Sequence, residues 1–347
     1  MTFHATMAEV LRRTRSGDLR SATALIRATL DAGTSPGPTV STATIAIGPE
    51  HAQAGLGRGE PAAEDCRFEA RRHIAPTGQL DYMLYRPKVT LRGLPLLVML
   101  HGCTQSPEDF ALGTGMNRLA DERGFLVAYP RQAPVANQQR CWNWFRPGDQ
   151  ERGRGEPALI AGVTRDVIEA EGVDATRVYV AGLSAGGATA AIMADAYPDL
   201  FAAVGVHSGL ACGAARNLPG ALSAMKRGSA YAGKRRPGDR FVPLITFHGD
   251  RDGTVHEANA RELVAAATAA AGAPVDVEVE TGAAGGRRYA RALSRDKHGK
   301  VLIEQWTVSG AGHAWSGGDP AGSHTDAAGP NASREMLRFF LEQRLAD

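Results

Sequence analysis

Three residues of this chain have the types and the chain order that nucleophilic acyl chemistry requires. Ser184 lies in Gly182-Leu183-Ser184-Ala185-Gly186, a G-x-S-x-G pattern. The apolar run Val178 to Ala181 precedes it and a helix-prone run, Ala188 to Tyr197, follows. Strand, tight turn and helix form the setting in which this pattern lifts a serine hydroxyl above the end of a sheet. A serine hydroxyl is a weak nucleophile until a base takes its proton, and that base needs an orienting carboxylate. Both partners are expected later in the chain, each on a loop after a strand, in the order acid then histidine. His313 follows the run Val301 to Val308, and Asp250 and Asp252 follow Val242 to Phe247. Asp252 stands further out in a Gly-containing loop able to reach across to His313. Asp250, hard against the strand end, remains the alternative and is suited to bracing the turn.

A tetrahedral oxyanion would need two convergent N–H donors. The N–H of Ala185 follows from its place after the serine. The second is expected from Cys103, in the His101-Gly102-Cys103-Thr104-Gln105 turn that ends the apolar run Leu96 to Leu100. Trp142, Trp144 and Trp315 fall in loops on the same rim and offer large flat apolar area. They and Gln105 are expected to contact substrate.

These side chains need a sheet to carry them. Phe68 to His73 and Leu80 to Tyr85, split by Pro76-Thr77-Gly78, predict an antiparallel hairpin. Continuous apolar runs at Leu96–Leu100, Phe125–Tyr129, Val178–Ala181, Ala202–His207 and Val242–Phe247 suit strands covered on both faces. Further strands are expected at Val275–Glu280 and Val301–Val308. Helices are expected at Met116–Arg123, Ala158–Glu171, Ala188–Tyr197, Asn259–Ala271 and Ser333–Leu345, the last capped by Asn331 or Ser333. The alternation implies an α/β fold with a doubly wound, mostly parallel sheet. That body spans 67–347. Before it, helical spacing predicts a hairpin over 1–32, and a Gly-, Pro-, Ser- and Ala-rich stretch predicts a flexible linker over 33–66.

A chain of 347 residues, 43% hydrophobic, can bury a large core. Its net charge of +2 gives no sign of a nucleic-acid partner, and no apolar run reaches the length of a transmembrane segment. The amino-terminal residues lack the apolar stretch of a secretory signal, so a cytoplasmic location with reduced thiols is expected. The four cysteines are too few and scattered for a disulfide scaffold or a zinc site. A Cys103–Cys141 bond across the mouth of the site stays open, conditional on an oxidising compartment.

The run LVMLHGCTQSPEDFALGTGMNRLADERGFLVAYPRQ, then CWNWF, VYVAGLSAGGATA, FHGDRDGTV and SGAGHAWSGG, resembles the esterase family typified by polyhydroxybutyrate depolymerases, to which feruloyl and acetylxylan esterases are related. The resemblance covers Phe68 to Leu345. It implies an α/β-hydrolase fold, carboxylic-ester hydrolysis without metal or organic cofactor, and a triad of Ser184, Asp252 and His313. The acid is fifth in the family's H-G-x-x-D-x-x-V segment, which favours Asp252, and H-G-C matches an oxyanion donor at Cys103. The expected substrate is a small or oligomeric hydroxyalkanoate ester, with a polyester granule surface as a further partner. A feruloyl or acetylxylan esterase is the first alternative, and a non-catalytic granule-binding scaffold of the same fold is the second.

Overall fold

The computed structural model describes residues 67–89, 91–229, 240–272 and 276–345. The expected hairpin over 1–32 and linker over 33–66 lie outside the described residues. The described chain opens with β1 (Phe68–Ala75) and β2 (Gly78–Tyr85), paired antiparallel. Then come β3 (Leu96–Leu100), α1 (Pro107–Thr114), α2 (Met116–Arg123), β4 (Leu126–Pro130) and α3 (Gly155–Glu171). Next are β5 (Val178–Leu183), α4 (Ala185–Ala196), β6 (Ala203–His207), α5 (Leu218–Arg227), β7 (Leu244–Gly249) and α6 (Ala258–Ala271). The chain finishes with β8 (Asp276–Ala284), β9 (Arg287–Arg295), β10 (Val301–Val308), the short pair β11 (Trp315–Ser316) and β12 (Thr325–Asp326), and α7 (Ala332–Leu341).

Among the described residues one ten-stranded sheet forms in the order β1-β2-β4-β3-β5-β6-β7-β10-β9-β8. The six strands from β4 to β10 run parallel, and antiparallel strands flank them on both sides. β3 through β7 are buried along their whole length, as strands covered on both faces must be. One face packs against α3, α4 and α6 through residues such as Ile160, Val163, Ala188 and Leu263. The other packs against α1, α2 and α7 through Phe110, Met116, Leu119, Met336 and Phe340. Each fully buried Leu or Phe side chain stabilises the fold by about 1.5–3 kcal/mol. This is the α/β-hydrolase fold that the resemblance implied.

The structure adds α1, α5, β9 and the short pair β11 and β12 to the elements expected. α1 begins at Pro107 because Ser106 caps it, its hydroxyl accepting the Asp109 N–H. α5 starts similarly, with Asn217 accepting the Gly220 N–H. β9, rich in arginine, pairs with both β8 and β10. Several boundaries also move, those of α3, α4, β7, β8 and α7 among them. α3 starts three residues early because Asp149 accepts the Glu156 N–H, and α7 stops at Leu341. Of the two caps proposed for α7, Asn331 performs the role, accepting the Arg334 N–H. Ser333 instead takes the Trp315 indole N–H and donates to Thr114 O.

Candidate active site

Ser184 occupies the junction of β5 and α4 at φ 57°, ψ −117°. A non-glycine residue held there carries of order 1–3 kcal/mol of backbone strain. The surroundings enforce it: Ser184 N–H donates to His207 O at 2.9 Å, and Ser184 O accepts the Ala188 N–H at 2.9 Å. Neighbouring chain crosses so closely that side chains are excluded on both flanks. A Cβ on Gly182 would lie 2.4 Å from the Gly186 carbonyl, and one on Gly186 would lie 2.0 Å from Leu100 O. The turn bearing Ser184 therefore sits directly against the end of β3, where the Cys103 segment begins.

The carboxylate and imidazole arrive from the ends of β7 and β10, adjacent parallel strands. His313 Nδ1 lies 2.8 Å from Asp252 Oδ2. The other carboxylate oxygen, Oδ1, accepts the N–H groups of Thr254 and Val255 at 2.9 and 2.8 Å. Burial pushes the Asp252 carboxyl upward, but the His313 bond and charge and the Val255 N–H outweigh it and hold it at about 2. His248 fixes the same loop, its Nε2 donating to Val255 O at 2.7 Å and lying 3.6 Å from Asp252 Oδ2. Asp250 accepts the Gly310 N–H at 2.7 Å and so braces the turn between the two loops. Arg251 N–H donates to Ala311 O, a second stitch across the same pair of loops.

His207 joins the nucleophile segment to the His313 loop. Its carbonyl accepts the Ser184 N–H, and its ring Nε2 accepts the Ser316 N–H at 3.0 Å. The ring stacks between Phe247 and Trp315, and burial lowers its pKa to about 3. Among the described residues Ser184 Oγ and the His313 ring are not hydrogen-bonded to each other. Such bonds are commonly long in unliganded enzymes and tighten when substrate binds.

At the end of β3, Gly102 N–H donates to Gln105 Oε1 and Thr104 N–H donates to Gln139 O. Among the described residues no protein acceptor takes the N–H of Cys103 or of Ala185. Cys103 is bonded to Cys141, so the expectation of reduced thiols fails for this pair, while Cys212 is not in a disulfide.

Four expected substrate contacts are built into the protein instead. Trp142 is 0% exposed and donates its indole N–H to His101 O at 3.1 Å. Trp315 is 1% exposed, donates to Ser333 Oγ and packs edge-on against Phe110. Trp144, 6% exposed, belongs to the main core and meets Phe145 edge to face. Gln105, 2% exposed, spans the Gly102 N–H, the Asp109 carboxylate and Ser323 O. An indole or amide whose polar atoms are already committed braces loops above the sheet, and the sequence carries no sign of which way such a side chain turns. One helper, Glu156, went unrecognised in the sequence. His207 ends an apolar strand beside the nucleophile strand, a placement that hints at bracing.

Among the described residues no three His, Cys, Asp or Glu side chains converge as metal ligands, and no helix is long and apolar enough to cross a membrane.

Residues 80–290 match the sequence model of the family described as Esterase PHB depolymerase. The chain belongs to this family. Ser184, Asp252 and Cys103 fall inside the match, and His313 falls beyond it. The chain is 31% identical over 249 residues to poly(3-hydroxyalkanoate) depolymerase C of Paucimonas lemoignei, covering 68% of this chain and 58% of that protein. It is 33% identical over 137 residues to feruloyl esterase B of Thermothelomyces thermophilus, covering 39% and 46% respectively. The chain thus spans little more than half the length of the depolymerase. Among solved structures, the acetyl xylan esterase from Aspergillus awamori superposes with a TM-score of 0.60 at 21% identity, covering 79% of this chain and 99% of that one, a likeness of fold.

Proposed function

We propose that this chain is a serine carboxylic-ester hydrolase acting through an acyl-enzyme on hydroxyalkanoate esters or their oligomers. The observation that carries the reading is the 2.8 Å bond from His313 Nδ1 to Asp252, at the ends of strands three and two places over from the one that ends in a serine held in a strained turn. With Nδ1 engaged, Nε2 is the nitrogen left to take the Ser184 proton as Oγ attacks the ester carbonyl. Asp252 stabilises the imidazolium that forms. The N–H groups of Cys103 and Ala185 receive the oxyanion, each lowering the barrier by about 3 kcal/mol. The imidazolium then protonates the departing alkoxide, and a water activated by the same ring hydrolyses the acyl-enzyme.

The depolymerase relative supports a polyester-type substrate, and a polyester surface is the natural macromolecular partner. A second reading, release of feruloyl or acetyl groups from plant polysaccharide, is favoured by the similarity to feruloyl esterase B. The Cys103–Cys141 bond supports folding in an oxidising compartment rather than the cytoplasm expected from sequence.

Two measurements test the proposal. Incubation with a fluorophosphonate should add one phosphonyl group to the peptide bearing Ser184, and an inert scaffold of this fold would stay unlabelled. Rates on 3-hydroxybutyrate oligomers, methyl ferulate and acetylated xylan then rank the substrates. Oligomers should be turned over fastest, and preference for either plant-derived ester would reverse the ranking.

A further inference from the structure

Glu156, in the first turn of α3, has a part-buried carboxylate with no cation beside it among the described residues. Three N–H donors converge on it instead. Oε1 accepts from Gln132 Nε2 at 2.5 Å and from Asn143 Nδ2 at 2.6 Å, and Oε2 accepts from Asn143 N at 2.7 Å. Glu156 thereby grips both ends of the segment 132–143. A carboxylate suits three donors because it is acceptor-only, and the amino-terminal end of a helix favours its charge.

That segment lies over the turn that offers Cys103, and the two meet at four points. Gln132 N–H donates to His101 Nε2, which leaves Nδ1 to carry the proton and donate to Gly102 O. Trp142 Nε1 donates to His101 O. Gln139 O accepts the Thr104 N–H. Cys141 is bonded to Cys103 itself, and its carbonyl accepts from Gln132 Nε2, the same amide that donates to Glu156. All four contacts thus come from the segment whose two ends Glu156 holds.

We infer that Glu156 is a positioning residue for ester hydrolysis, closing the segment 132–143 into a strap that fixes the Cys103 N–H where the oxyanion forms. The inference rests on the serine-hydrolase reading given above. It places Glu156 outside the chemistry: the side chain touches neither substrate nor Ser184 and acts through Gln132 and Asn143.

The protonation state of Glu156 bears on the test. Burial, followed by the negative charge of Asp149, pushes its carboxyl up to about 7, against the pull of the three donors. Asp149, on the turn before α3, is the charged side chain facing it from a neighbouring element, and the strap presents only the neutral Gln132 and Asn143. A proton on Glu156 puts an O–H where an acceptor is needed and loosens one of the three bonds.

The test compares the full chain with Glu156→Gln, Glu156→Ala and Ser184→Ala on a p-nitrophenyl ester, well below each protein's Tm. A displacement of about 1 Å in a reacting group can lower the rate on the order of 100-fold. Glu156→Ala should lose roughly that much kcat with KM changed less than about 3-fold, and Glu156→Gln roughly 10-fold. The wild-type pH profile should carry a partial step near pH 7 that Glu156→Gln lacks. If Glu156→Ala does not fold, Glu156→Gln decides alone. An unaltered kcat and pH profile in Glu156→Gln, even with a lower Tm, overturns the role and leaves the hydrolase reading standing. Activity retained by Ser184→Ala overturns both.

Discussion

His313 and Asp252 are joined through Nδ1 and Oδ2 at 2.8 Å, while the second Asp252 oxygen takes two backbone N–H groups of its own loop. The carboxylate is thus fixed before it touches the ring, and it selects the tautomer with the proton on Nδ1. Asp252→Asn keeps the shape but offers an N–H where an acceptor is required. It should lower kcat by roughly 10³- to 10⁴-fold with little change in KM. Asp250→Asn, which only weakens the Gly310 contact, should keep activity within about 10-fold; steady-state kinetics on one ester compares the two.

The close crossing of β3 over the nucleophile turn leads to a packing prediction. Gly186→Ala would drive a methyl group to 2.0 Å from Leu100 O, backbone that cannot yield without opening the sheet. Destabilisation of at least about 3 kcal/mol is expected, with loss of soluble active protein. Gly148→Ala, which meets nothing within 4 Å, serves as the control and should unfold at the wild-type urea midpoint.

The Cys103–Cys141 bond closes a 38-residue separation. By chain entropy such a loop contributes about 4 kcal/mol to stability. Cys141→Ser should therefore lower the unfolding free energy by roughly 2–4 kcal/mol. It should also lower kcat more than it raises KM, because Cys103 offers one of the proposed oxyanion donors. Urea titration and kinetics on the same preparation check both statements.

Buried histidines predict an acid-sensitive fold. Burial holds His101 at about 4 and His207 at about 3, below the ordinary value near 6.5. The unfolded chain then binds more protons than the folded one between those values, so stability falls as pH drops below about 6.5. Glu156, raised to about 7, works in the opposite sense: its contribution is present at low pH and is lost as pH rises through 7. Stability should fall between pH 6.5 and 4.5, and Glu156→Gln should steepen that fall by about 1.4 kcal/mol per pH unit. Urea unfolding at several pH values measures both slopes.

Much of this molecule was legible because its signals are local. β3, β10 and α2 occupy the expected residues, since each is an apolar run or periodic stretch bounded by turn residues. The serine, acid and histidine stood out because chain order and strand-end placement restrict them. β9 was hidden by its arginines, which suit a strand at this edge because carboxylates on its neighbours receive them, as Glu304 and Glu280 receive Arg291. The direction of a loop side chain is set by distant partners. Trp142 turns inward to meet His101 O and Trp315 to meet Ser333, contacts across 41 and 18 residues that no local pattern encodes. The same holds for Glu156, whose carboxylate is organised by Gln132 and Asn143 in a different segment.

If Trp142 braces the Cys103 turn, Trp142→Phe should lower stability by about 1–2 kcal/mol through the lost indole hydrogen bond, and any catalytic effect should appear in kcat. A rise confined to KM across ester substrates would instead return this residue to the substrate wall.

The central claim is that the hydroxyl of Ser184 attacks the ester. Turnover of a p-nitrophenyl ester by Ser184→Ala, on protein whose circular dichroism and Tm match the wild type, tests it most directly. At least a thousandfold loss of kcat is predicted, the scale of removing one member of such a unit. Retention of activity within tenfold of wild type would contradict the account.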